Sequence, residues 1–181
     1  MAGQILYRTA TLDTVEGRTI YGRAVPYETP TAISEFDYET NKVVTYREKF
    51  VNGSFARSIA ERGHKVKLLT QHDQRKLAVG KAVELREEPD GLYGSFEVAA
   101  TRDGDELLEL VRTGVVDSFS IGFRPVRDDR RGDLVTRIEA RLNEVSAVNF
   151  GAYEDATISG VRSRLIIPRA AAQAWLETLD W

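Results

Sequence analysis

The chain of 181 residues is long enough for one well-buried domain and short for two, since domains commonly span about 100–150 residues. Its 42% apolar and 29% charged residues exclude wholesale disorder, and 25 basic against 28 acidic side chains, a net charge of −3 spread along the chain, leave no basic stripe to meet a nucleic acid. The absence of cysteine excludes disulfides, thiolate metal sites and a cysteine nucleophile.

The first residues, "MAGQILYRTATLDTVEGRTIYGRAV", build no signal-peptide core, and no stretch approaches the roughly 20 apolar residues of a membrane span, so cytoplasm-like surroundings are expected. "QILYRT" (residues 4–9) and "RTIYGRAVPY" (18–27), rich in β-branched and aromatic residues and broken by glycine or proline, read as strands. "PTAISEFDYETNKVV" (30–44) has no clear period and is expected as a long loop or a hairpin. "EKFVNGSFARSIAERG" (48–63) reads as a helix: Asn52 or Ser54 can cap it, Phe55 and Ile59 fall on one side, and Gly63 supplies the stop. "HKVKLLTQHD" (64–73) then alternates, with Val66, Leu68, Thr70 and His72 in phase, which predicts a strand ending on a histidine.

Pro89-Asp90-Gly91 divides two alternating runs and predicts a hairpin. "TRDGDELLELVRTG" (101–114) follows as an amphipathic helix, with Thr101 or Asp103 near its start, Leu107, Leu108 and Val111 as its apolar stripe, and Gly114 at its end. In "VVDSFSIGF" (115–123) a period of two puts Phe119, Ile121 and Phe123 on one face and Ser118, Ser120 and Gly122 on the other. That second face is small and hydroxylic where a half-buried strand normally exposes long polar residues, so something must come close to it. Small residues at 118 and 122 are expected to leave room for a substrate backbone. A charged turn, "RDDRRGD" (127–133), leads to "LVTRIEARLNEVSAV" (134–148), where Ile138, Ala140, Leu142 and Glu144 share a face, so that Glu144 continues an apolar row. The tail from residue 161 restarts after Pro168 and can form a short helix with Trp175, Leu176 and Leu179 on one side. Six to eight strands against two or three helices predict a mostly antiparallel, partly closed sheet with helices packed outside it.

Three residue types stand out against this frame. The chain has two histidines: His64 lies among charges, where a solvated role suffices, and His72 ends an apolar-phased strand. There His72 is either bonded to a loop carbonyl or acts as a general base, for which a pKa of about 6.5 is suited. A carboxylate on a buried face costs several kcal/mol unless paired, so Glu144 either has surfaced into water or accepts an imidazole N–H. Ser120 is a nucleophile only if a base takes its proton and a third group orients that base.

The blocks "REKFVNGSFARSI", "VKLLTQHD" with "LAVGKAVEL" behind it, "DGLYGSFEV", "DELLELVRTGVVDSFSIGF" and "LNEVSAVNFGA", in this order over about residues 15–160, together resemble the prohead maturation proteases of tailed bacteriophages, the phage kin of the herpesvirus assemblin protease. The resemblance implies a mainly β fold with flanking α, a closed or nearly closed, mostly antiparallel barrel surrounded by helices. It implies a protease domain over 1–160 with a tail over 161–181, and a triad of His72, Ser120 and Glu144 needing no cofactor or metal. Assemblin-type enzymes place a second histidine where this chain has Glu144, and an arginine-bearing loop where it has "VNFGAYEDA". The implied function is a serine endopeptidase inside the prohead, in the host bacterial cytoplasm. It would cut the scaffolding region of the major capsid protein and itself, with that protein and its own copies, as a dimer, for partners and with no membrane or direct nucleic-acid binding; the tail would be a targeting or self-cleaved segment. The alternative is a non-catalytic capsid or scaffold component that keeps the barrel; a metal hydrolase finds no HExxH spacing or cluster.

Overall fold

The computed structural model describes residues 17–37, 41–151 and 156–162, and most of its regular structure is strand. The strands are β1 (Thr19–Pro26), β2 (Thr31–Asp37), β3 (Lys42–Phe50), β4 (Lys67–Thr70), β5 (Gly80–Glu88), β6 (Gly91–Val98), β7 (Ser118–Arg131), β8 (Leu134–Val148) and β9 (Ile158–Arg162). They are accompanied by α1 (Ala56–Arg62), a 3₁₀ turn over Gly63–Lys65 and α2 (Arg102–Arg112). The class is mainly β with short helices, as expected. The strand read at 4–9 and the helix read after Pro168 lie outside the described residues. Among the described residues no helix is long and apolar enough to cross a membrane.

β8 is the spine of the sheet. One of its edges pairs with β7 along nearly its whole length, and the connecting turn shrinks to Gly132-Asp133, with Gly132 at φ 63°. The charged run 127–131 is therefore strand rather than turn. The other edge of β8 takes partners in succession: β3 lies parallel to Leu134–Arg137 and β4 parallel to Glu144–Ala147. Between them α1 and the turn before it supply the acceptors, since Ala140 N–H donates to Ser54 O at 2.8 Å and Leu142 N–H to Ser58 Oγ at 2.9 Å. From β4 the sheet continues antiparallel through β5, β6 and β1 to β9, while β2 and β3 form an antiparallel hairpin at the opposite end. β9 runs to Arg162, past the boundary expected at 160.

This hydrogen-bonded path has two ends, so the sheet is open where a closed or nearly closed barrel is expected. The β9 end of the path, five residues long, meets β7 through an isolated bridge rather than a ladder, Ser118 to Thr157. Two backbone bonds flank that bridge, Phe119 N–H to Ala156 O at 2.9 Å and Ile158 N–H to Asp117 O at 2.7 Å.

The core is packed by Ile20, Leu68, Leu92, Leu142 and Val145 around aromatic contacts. Phe50 stacks on Phe55 with centroids 5.1 Å apart and meets Phe123 edge-on at 5.0 Å; Phe96 tilts against Phe119 at 5.4 Å. Such buried rings contribute about 2–3 kcal/mol each from area alone. α2 is built as its sequence predicts, with the Thr101 side chain accepting from Gly104 N–H and Leu107, Leu108 and Val111 buried.

α1 differs. It is expected over 48–63 but starts at Ala56, because Glu48–Phe50 are held in β3 and Gly53 turns the chain at φ 86°. Neither Asn52 nor Ser54 caps it. Asn52 Nδ2 instead donates to Glu88 O at 2.8 Å, and the Phe55 N–H donates to Glu87 Oε1 at 2.9 Å, so a carboxylate from β5 does the capping. The Tyr27 hydroxyl donates to the same carboxylate oxygen. Burial, reinforced by Glu87, raises the Tyr27 phenol well above its ordinary range and keeps it a donor. Gly63 is right-handed at φ −50° and passes the chain into the 3₁₀ turn rather than stopping it.

Candidate active site

The serine strand keeps the phase read from its sequence. Phe119 and Ile121 enter the core, and Ser118, Ser120 and Gly122 face the other way. Ser120 lies opposite Ser146 on β8, and Gly122 opposite Glu144; directly paired residues share a face. Ser120 itself is 8% exposed, and Ser118 Oγ is engaged with Asp117 Oδ1 at 2.8 Å.

Glu144 reaches that face by a different route from the one its sequence suggests. Past the Gly122–Glu144 pair the next partners are Phe123 and Leu142, so Asn143 is an extra residue, a β-bulge. The bulge inverts the alternation: Ala140 and Leu142 before it, and Val145 and Ala147 after it, belong to the core. Glu144 and Ser146 are left on the serine face. Glu144 therefore does not continue the Leu142 row, as a strict period of two predicts.

His72 also arrives by a turn rather than by strand phase. β4 ends at Thr70, and Gln71 and His72 take left-handed φ values of 53° and 56°, a conformation that costs a non-glycine residue about 1–2 kcal/mol. Hydrogen bonds to β8 hold this turn, from Gln71 N–H to Ala147 O at 3.1 Å and from His72 N–H to Ser146 Oγ at 3.1 Å.

The result is one line of polar atoms. His72 Nε2 lies 2.8 Å from Ser120 Oγ, and His72 Nδ1 lies 2.6 Å from Glu144 Oε1. Glu144 Oε2 accepts from Ser146 Oγ at 2.9 Å, so both carboxylate oxygens have donors. The Glu144 side chain is 8% exposed and that of His72 40%, so the carboxylate is buried and the imidazole partly open to solvent. Charged hydrogen bonds of this kind offset the cost of burying the carboxylate.

Residues 13–167 match the family described as caudovirus prohead serine protease. The chain belongs to that family. Over 98 residues it is 31% identical to a protein named prohead protease from Escherichia phage T5, a match covering 53% of this chain and 46% of the phage protein. The chain thus spans about half the length of that curated relative. No solved structure matches it.

In this member of the prohead serine protease family, Gly122 has a use in addition to the one expected. A Cβ there would lie 2.3 Å from Glu144 Oε1. The absent side chain makes room for the carboxylate. His64 sits exposed in the 3₁₀ turn, away from the line of polar atoms, as its charged surroundings suggest. Ser146 is the residue that sequence reasoning passed over. Its spacing of two from Glu144 on one strand was the available signal, since such residues share a face.

Proposed function

We propose that the chain is a serine endopeptidase of capsid maturation in which Ser120 is the nucleophile, His72 the general base and Glu144 the group that orients it. The observation that carries this reading is the unbroken sequence of contacts from Ser120 Oγ through His72 to Glu144, at 2.8 and 2.6 Å. The neutral imidazole has its proton on Nδ1, donated to Glu144, which leaves Nε2 to accept from the serine hydroxyl. Ser120 Oγ attacks the peptide carbonyl carbon as Nε2 takes its proton. The imidazolium so formed is stabilised by Glu144 and gives the proton to the departing amine. A water, deprotonated by His72 in the same way, then releases the acyl group from Ser120.

The substrate is the scaffolding region of the major capsid protein, together with the protease itself, inside the prohead in the host cytoplasm. Family membership and the relative named prohead protease support that assignment. The partners are the capsid protein and a second copy of the chain. The protease domain extends through β9 to Arg162, and the tail beyond it is the segment removed by self-cleavage.

The test is co-expression of the chain, or its Ser120→Ala variant, with uncleaved major capsid protein. Loss of the nucleophile is expected to remove cleavage, by about 10⁵-fold or more, while the thermal midpoint stays within a few degrees because one hydroxyl leaves and no cavity of note opens. Cleavage that persists in the variant would refute the assignment.

A further inference from the structure

Ser146 is fully buried on β8, directly opposite Ser120, and its one hydroxyl touches both other members of the proposed triad. It accepts from the main-chain N–H of His72 at 3.1 Å and stands 2.9 Å from Glu144 Oε2. A main-chain N–H only donates and a carboxylate only accepts, so the hydroxyl proton has one direction open to it, toward Glu144. We infer that Ser146 is a positioning residue: it ties the carboxylate that orients the imidazole to the backbone that carries the imidazole. This rests on the reading of Ser120, His72 and Glu144 given above.

The turn at Gln71-His72 has two consecutive left-handed residues, neither of them glycine, a conformation that persists only where surrounding contacts hold it. The His72 N–H is tied through Ser146, so that hydroxyl is one of the fasteners. The same hydroxyl satisfies the carboxylate oxygen that His72 does not use. Removing it would free Oε2 and the His72 N–H together, beside a residue that is fully buried. The distance from Nδ1 to Oε1 would then be set by neither end. A serine present only to fill space would be replaced by alanine without effect on the chemistry.

The test measures the second-order rate at which a fluorophosphonate labels Ser120 in the full chain, with thermal midpoints and the proton resonance of His72 Nδ1–H as companions. Ser146→Ala is expected to slow labelling about 10- to 100-fold, the range of one hydrogen bond to a charged group, and to shift or broaden that resonance. Ser146→Thr, which keeps the hydroxyl, is expected to label within a few-fold of the parent. In a Glu144→Ala background the further change Ser146→Ala is expected to cost less than about threefold, because the two act as a unit. Equal labelling by parent and Ser146→Ala would overturn the inference. So would a Ser146→Ala cost that multiplies in full on top of Glu144→Ala, or, should the alanine variant fail to fold, a folded Ser146→Thr that has lost both rate and resonance. A parent chain that takes no label at Ser120 would refute the triad reading, and this one with it.

Discussion

At the scale of single residues, Gly122 states the site's tolerance most sharply. Its missing side chain is replaced in space by the Glu144 carboxylate, and a methyl there would stand 2.3 Å from Oε1. That is well inside van der Waals contact, and the three nearest atoms all belong to the Glu144 side chain, so the carboxylate is the group that must move. Gly122→Ala is expected to leave the β-rich circular dichroism spectrum unchanged, to lower stability by about 1–3 kcal/mol as overpacking does, and to slow fluorophosphonate labelling of Ser120 by at least about tenfold. A variant that labels at the parent rate would show that Glu144 does not need its observed position. Ser120 itself was legible as a residue because nothing irregular interrupts β7 before Gly122, so period two held from Phe119 to Ile121.

At the scale of elements, that same periodicity misread two of the three site strands. On β8 the bulge at Asn143 inverts the alternation, and a bulge leaves no mark in a count of apolar and polar positions. On β4 the strand ends at Thr70, and His72 is aimed by left-handed backbone that its residue type does not advertise. Neither Glu144 nor His72 has the phase that its spacing predicts. The cap of α1 was hidden for a further reason: Glu87 comes from β5, and local rules see only neighbours in sequence. β3 is bound to β8 by side chains as well as by its ladder. Arg137 lies between Glu48 and Asp128, 2.5 Å from each, with side-chain exposures of 11% for Arg137 and 4% for Glu48. Burial opposes the charge on Arg137, but the two carboxylates outweigh it and raise its pKa. Removing Glu48 leaves Arg137 with Asp128 as its remaining carboxylate partner. Glu48→Ala is expected to lower the unfolding free energy in urea by about 1–3 kcal/mol, the range of a hydrogen bond to a charged group; a change below about 0.5 kcal/mol would show the pair to be solvated.

At the scale of the whole molecule, the mainly β class, the hairpin at Pro89-Asp90 and α2 were legible because local signals and tertiary structure agree there. The ordered blocks also pointed to the family that residues 13–167 match. Barrel closure was not legible, since it depends on how five residues of β9 and an isolated bridge at Ser118 meet across the molecule. What the topology achieves is convergence: β7 pairs with one edge of β8 and the end of β4 with the other, so residues distant in sequence share one sheet face. That convergence is expected to be chemically active. The most direct measurement is exposure of the folded chain to a fluorophosphonate, followed by mass-spectrometric mapping of the adduct. A single adduct on Ser120 is expected, absent from Ser120→Ala and slowed about 10³-fold or more in His72→Ala. An adduct on another serine, no adduct at all, or a His72→Ala variant labelled as fast as the parent would contradict that expectation.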